Sequence, residues 1–177
     1  MATDAQKRSA IEHSVKLIGR EEVDPASSAA LAISIIESPF ATEGQKELAI
    51  KNSAELIGSE EVHPASRAKL AISAMGGCRG VEEKRLDIAR SVGLIGAAGV
   101  QPRDSFELFE TIIQSLSATP EQKELAIKNS VELIGSAEID PRSRAALAIS
   151  IIKSPLATPD QKRSASTFLL TTTGFSR

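Results

Sequence analysis

Tryptophan and tyrosine are missing from the 177 residues, and phenylalanine occurs only five times. That scarcity argues against a base-stacking platform, and against an interface anchored on Trp or Tyr. Cys78 is the only cysteine, so the chain can close no internal disulfide and build no thiolate metal cluster of its own. A single thiol fits a reducing compartment. No run of 18 apolar residues and no charged-then-apolar leader occurs, so neither a membrane span nor a signal peptide is expected. The net charge of −2 supplies no whole-chain attraction to nucleic acid or to acidic membranes.

What the chain does have is an internal repeat. Leu-Ile-Gly ends at Gly19, Gly58, Gly96 and Gly135, with spacings of 39, 38 and 39 residues. A proline follows each glycine by six residues, at Pro25, Pro64, Pro102 and Pro141, and a lysine keeps step at Lys7, Lys46, Lys84, Lys123 and Lys162. Several residue types holding one register along the whole chain define four repeats, 2–40, 41–79, 80–117 and 118–156, and a half repeat, 157–177.

Each repeat reads as two helices. In Thr119-Pro120-Glu121-Gln122 the threonine is a helix cap, Pro120 sits where its missing N–H costs nothing, and Gln122 can bond back to the cap. Ile127, Ser130, Val131 and Ile134 follow the helical period, while Glu124, Lys128 and Glu132, four apart, predict a solvated stripe. Gly135 is expected to end this helix in a left-handed conformation. The second helix starts at Asp140-Pro141, runs through the almost wholly apolar Ala145–Ile152, and stops at Ser154-Pro155. A helix apolar nearly all round needs cover on several sides, which stacked copies supply.

Two-helix units of about 39 residues resemble the HEAT and armadillo class of repeats. The resemblance is architectural, spans the whole chain and carries over no site residue. It implies an all-α, right-handed αα-superhelix in a single domain, 1–177: four stacked repeats, charged first helices outside, apolar second helices inside, and a C-terminal capping helix. Phe168, Leu169 and Leu170 are expected to pack backward onto repeat 4, with Thr172 and Thr173 replacing Leu133 and Ile134 at the outer end. Ala2 begins like an internal repeat. An uncapped N-terminal face, an excised fragment and self-association through that face are therefore expectations.

Copies 2 and 4 share QKELAIKNS, and copies 1 and 4 share AALAISII, as a recent duplication would leave them. Repeat 3 departs furthest. Gly76-Gly77-Cys78-Arg79-Gly80 replaces the Ser-Pro stop and the Thr cap, and SFELFETIIQ replaces RAALAISIIK. Phe106 and Phe109 have two readings: an aromatic anchor for a partner beside a hinge, or bulkier rings refilling a changed core. The glycine-rich stretch could cradle an anion but lacks the P-loop Lys-Ser/Thr pair, and Arg79 could lower the Cys78 thiol pKa.

Catalytic chemistry finds no foothold. His63 falls on the helix-cap position held by Asp24 and Asp140, and His13 on the position held by Asn52 and Asn129. Ser14, Ser53, Ser91 and Ser130 recur on the packing face with no base at a defined spacing. No metal site, cofactor or catalytic set is expected. The in-register lysines could track phosphates, but Glu43, Glu47, Glu83, Glu121 and Glu124 interleave with them and argue against nucleic acid.

The expected function is therefore a non-catalytic scaffold binding a protein or peptide on a concave face of second helices. The variable line there runs through Ala65/Lys69/Ser73, Arg103/Glu107/Thr111 and Arg142/Ala146/Ser150. Lys69, Ser73, Arg103, Glu107, Thr111 and Arg142, with Phe106 and Phe109, are the candidate partner-binding residues. A nucleic-acid-binding repeat and a segment of a microbial secreted effector are the alternatives, and no membrane partner is expected.

Overall fold

The computed structural model describes residues 3–77 and 80–172, and these form helices with no strand among them. The helices are α1 (Asp4–Val15), α2 (Pro25–Ile36), α3 (Glu43–Ser53), α4 (Pro64–Gly76), α5 (Val81–Ser91), α6 (Pro102–Gln114), α7 (Pro120–Ser130), α8 (Pro141–Lys153) and α9 (Pro159–Thr172). Short 3₁₀ segments follow α3, α5 and α7 at Ala54–Gly58, Val92–Leu94 and Val131–Gly135.

The starts obey the capping chemistry in the sequence. Thr3, Thr42, Thr119 and Thr158 each accept from the backbone N–H of the glutamine three residues on, and that side chain accepts the threonine's own N–H at 2.8–2.9 Å. Proline opens α2, α4, α6 and α8. Asp24 and Asp140 cap α2 and α8 by accepting from Ser27 and Ser143 N–H, and His63 caps α4 by accepting from Ala65 N–H through Nδ1.

The chain gathers into two compact units, Met1–Ser91 and Val92–Arg177. In the first, α1 packs on α2 and α3, α2 on α3 and α4, and α5 on α4 and the 54–58 segment. Its core holds Val15, Ala29, Ala32, Ile35, Ala49, Ile57, Ala68, Leu70 and Ile88. Each fully buried aliphatic side chain of Val, Leu or Ile size contributes about 1.5–3 kcal/mol relative to exposure. In the second unit, α6 packs on α7 and the 92–94 segment, and α9 on α8 and the 131–135 segment. Its core holds Leu108, Phe109, Ile112, Ile127, Ile134, Leu147, Ile151 and Ala165.

One register sews neighbouring elements together within each unit. Asn52 Nδ2 donates to Val15 O at 3.1 Å, Arg90 Nη1 to Ala54 O at 3.0 Å, and Asn129 Nδ2 to Val92 O at 3.1 Å. His13, the first residue in that register, bonds instead within its own helix, to Ser9 O at 2.7 Å.

The recurring glycines divide into two kinds. Gly19 and Gly96 are left-handed, with φ of 76° and 73°, and their N–H groups donate to the buried Ser28 and Ser105. Gly135 is not left-handed, contrary to the expectation from its place after Leu-Ile. Like Gly58, it ends a 3₁₀ turn, and the chain leaves through the extended Ser136, as it does through Ser59. The difference tracks the residue nine positions on, which is Arg67 or Arg144 rather than serine. Arg67 Nε reaches Ile57 O at 2.8 Å.

Two further expectations change. Of the recurring serines, Ser53, Ser91 and Ser130 are buried and Ser14 half-buried, at helix ends rather than mid-helix. Ser53 and Ser130 bond the third preceding carbonyl, where the α-helix tightens into 3₁₀. At the C-terminus, Phe168 lies under the Arg144 guanidinium, 5.4 Å from its ring centroid. Leu170 does not pack backward, being 62% exposed. Thr173 lies outside the described residues.

Candidate functional site

The second helices carry their variable residues at four-residue spacing, so those residues share a face. In α4 that face presents Lys69, exposed and within 4.0 Å of Glu37 Oε1, and the half-buried Ser73. In α8 it presents Arg142, exposed in the first turn. In α6 it presents Arg103, Glu107 and Thr111, the last donating through Oγ1 to Glu107 O at 2.7 Å.

The structure brings three of the candidates to one place. Arg103, Phe106 and Glu107 line a cleft of about 640 Å³ between α6 and the lead-in to α8, with Glu110, Glu138, Ile139, Asp140 and Ser143 completing its wall. Phe106 is half-buried and Ile139 buried, so they form its apolar part, while Arg103, Glu107, Glu138 and Asp140 are exposed at its rim. Asp140 is held by two bonds with Ser143, one to the side chain and one to the backbone N–H, which lower its pKa from the usual carboxylate value. Among the described residues, no ion pair engages the head groups of Arg103, Glu107, Glu110 or Glu138.

Phe109 is 1% exposed and belongs to the core, as the refilling alternative has it. Phe106 and Phe109 therefore separate, one onto the cleft and one inside. Lys69 and Ser73 belong to the first unit and are not among the residues that line this cleft. Cys78 and Arg79 lie outside the described residues.

Two features escaped sequence reasoning, Ile139 at the cleft and Asp87 in the first unit. Ile139 belongs to an apolar register, Val23, Val62, Val100 and Ile139, two residues ahead of each proline, and the last three are buried. Asp87 is wholly buried in α5, in the slot that Ala49, Ala126 and Ala165 fill elsewhere. Aligning the copies residue by residue would have exposed both.

No protein-family model, curated protein or solved structure matches this chain. Among the described residues, no group of three or more His, Cys, Asp or Glu is placed to hold a metal ion. No described helix is long and apolar enough to cross a membrane.

Proposed function

We propose that the chain is a non-catalytic protein-interaction scaffold: a right-handed αα-solenoid of four two-helix repeats, closed by α9, that binds a protein or peptide partner along the face of its second helices. The observation that carries this reading is the division of labour between positions that recur and positions that change. Residues that cap, turn and stitch recur in register, whereas the exposed to half-buried line of the second helices changes from Ala26/Ala30 to Ala65/Lys69, Arg103/Glu107 and Arg142/Ala146. A constant frame under a changing surface is the pattern of a recognition face grafted onto a repeat.

The in-register lysines support nucleic acid poorly. Lys7 is paired with Asp4 at 3.3 Å and Lys46 with Glu43 at 3.2 Å, so part of the ladder is already neutralised by first-turn carboxylates. Retention on RNA or DNA falling steeply with salt would reverse that judgement.

The test is a crosslinking pulldown from the native organism's lysate, using the wild-type chain and a Lys69→Ala, Arg103→Ala, Glu107→Ala, Arg142→Ala variant. The reading expects a captured protein that the variant loses while its helical circular dichroism is unchanged. Equal capture by both contradicts the surface assignment.

A further inference from the structure

We infer that the cleft between α6 and the lead-in to α8 receives a cationic side chain, a lysine or arginine carried on an otherwise neutral partner segment. This rests on the scaffold reading and names the chemistry of the partner at one point of it. The cleft's volume, about 640 Å³, falls within the usual range for ligand-sized sites. Four carboxylates line it, those of Glu107, Glu110, Glu138 and Asp140, against the single guanidinium of Arg103. Glu107, Glu110 and Glu138 have no ion-pair partner within the described chain. An incoming cation therefore finds acceptors that need not first be released, whereas an anionic segment meets four like charges.

The apolar part of the cleft fits the same guest. The half-buried Phe106, backed by the buried Ile139, offers surface to the methylene stem of a long basic side chain. The Phe106 ring can also face the cation. The protein uses that pairing elsewhere: Lys7 Nζ sits 4.0 Å from the centroid of Phe40. The positions 77 residues earlier, Ala26, Ala29, Ala30 and Ile33, carry neither ring nor charge, and His63 stands where Asp140 does. Glu138 and Ile139 have counterparts in Glu61 and Val62, so the ring and three of the four carboxylates are what is particular to the second unit.

The test is an NMR titration of the ¹⁵N-labelled full chain with two capped pentapeptides, alternating Leu-Lys-Leu-Lys-Leu and Leu-Glu-Leu-Glu-Leu. The lysine peptide is expected to shift amides within 103–110 and 138–143. A Glu107→Gln, Glu110→Gln, Glu138→Gln variant should weaken its binding about tenfold, equivalent to about 1.4 kcal/mol. Phe106→Leu, which keeps the volume apolar, should weaken it less. Equal shifts from the glutamate peptide, unchanged binding by the triple variant, or no shift at millimolar peptide would each overturn the cationic guest and leave the scaffold reading standing. Shifts confined to α3 and α7 would overturn both.

Discussion

Counting 77 residues from a point in the first unit reaches its counterpart in the second, and at the junctions the counterparts behave alike. Gly19 and Gly96 are both left-handed, Ser28 and Ser105 both accept the glycine N–H, and Asn52 and Asn129 both reach back to a carbonyl 37 residues earlier. α2 and α6 break the match. Where α2 has Ala26, Ala29, Ala30 and Ala32, α6 has Arg103, Phe106, Glu107 and Phe109. The junction bonds lie outside the exchanged positions and persist through the exchange. Three of the four new side chains line the cleft and the fourth enters the core. Frame and surface are thus separable within one helix.

The largest effect should come from the one exchanged residue that became core. Phe109→Ala is expected to destabilise by about 3–5 kcal/mol through the cavity it leaves, measured by urea unfolding. The reciprocal Ala32→Phe should cost about 1–3 kcal/mol by overpacking a fully buried site. A neutral Phe109→Ala would show that α2 and α6 sit in interchangeable surroundings and would dissolve the contrast.

Next are the glycines. Gly19→Ala forces a side chain into a left-handed backbone, at roughly 1–2 kcal/mol, and brings its Cβ to 2.8 Å from Asn52 O. Gly96→Ala should have the same sign with a smaller penalty, since its contact with Asn129 O is 3.2 Å. Gly135→Ala meets nothing within 4 Å at an ordinary φ and should stabilise by about 0.4–1 kcal/mol. Thermal melts of the three variants give the order directly, and a costly Gly135→Ala would show that the two junction types are not distinct.

The smallest effect concerns the caps, which the units share unevenly: Asp24 caps α2 while Gln101, its counterpart on α6, makes no side-chain bond. Asp24 and Asp140 have pKa values lowered first by the side chain and then by the backbone N–H of Ser27 and Ser143. A carboxyl lowered on folding adds stability above its unfolded value near 3.8, and loses it as pH falls through the folded value. The gap in melting temperature between wild type and Asp24→Ala or Asp140→Ala should therefore be full at pH 6 and shrink as pH drops below 4. A gap independent of pH would mean that the caps act without their charge.

Much of the frame was legible because it rests on local chemistry. Thr119 with Gln122, the opening prolines, the Glu124/Lys128/Glu132 stripe and the capping use of His63 depend on residues a few positions apart, and all stand as read. The Gly135 conformation was not legible from Leu-Ile-Gly alone: it goes with Arg144, nine residues on, where Gly19 and Gly96 have the serine that accepts their N–H. Part of the cleft's lining was legible too: Arg103, Phe106 and Glu107 share it. Glu138 and Ile139 were not, since they come from the loop before α8, and helical spacing says nothing about which loop a helix faces. Phe106 and Phe109 looked equivalent by periodicity, and their different surroundings separate them.

The central claim is that the changing line of the second helices carries recognition and the charged stripe of the first helices does not. Its most direct test is site-specific photocrosslinking in native lysate, with a benzoyl-phenylalanine probe at Lys69, Glu107 or Arg142 on the second helices, or at the exposed Glu47, Glu124 or Glu132 of the charged stripe. The account predicts one common partner captured from the first three positions and from none of the others. Capture from Glu47, Glu124 or Glu132 alone would contradict it.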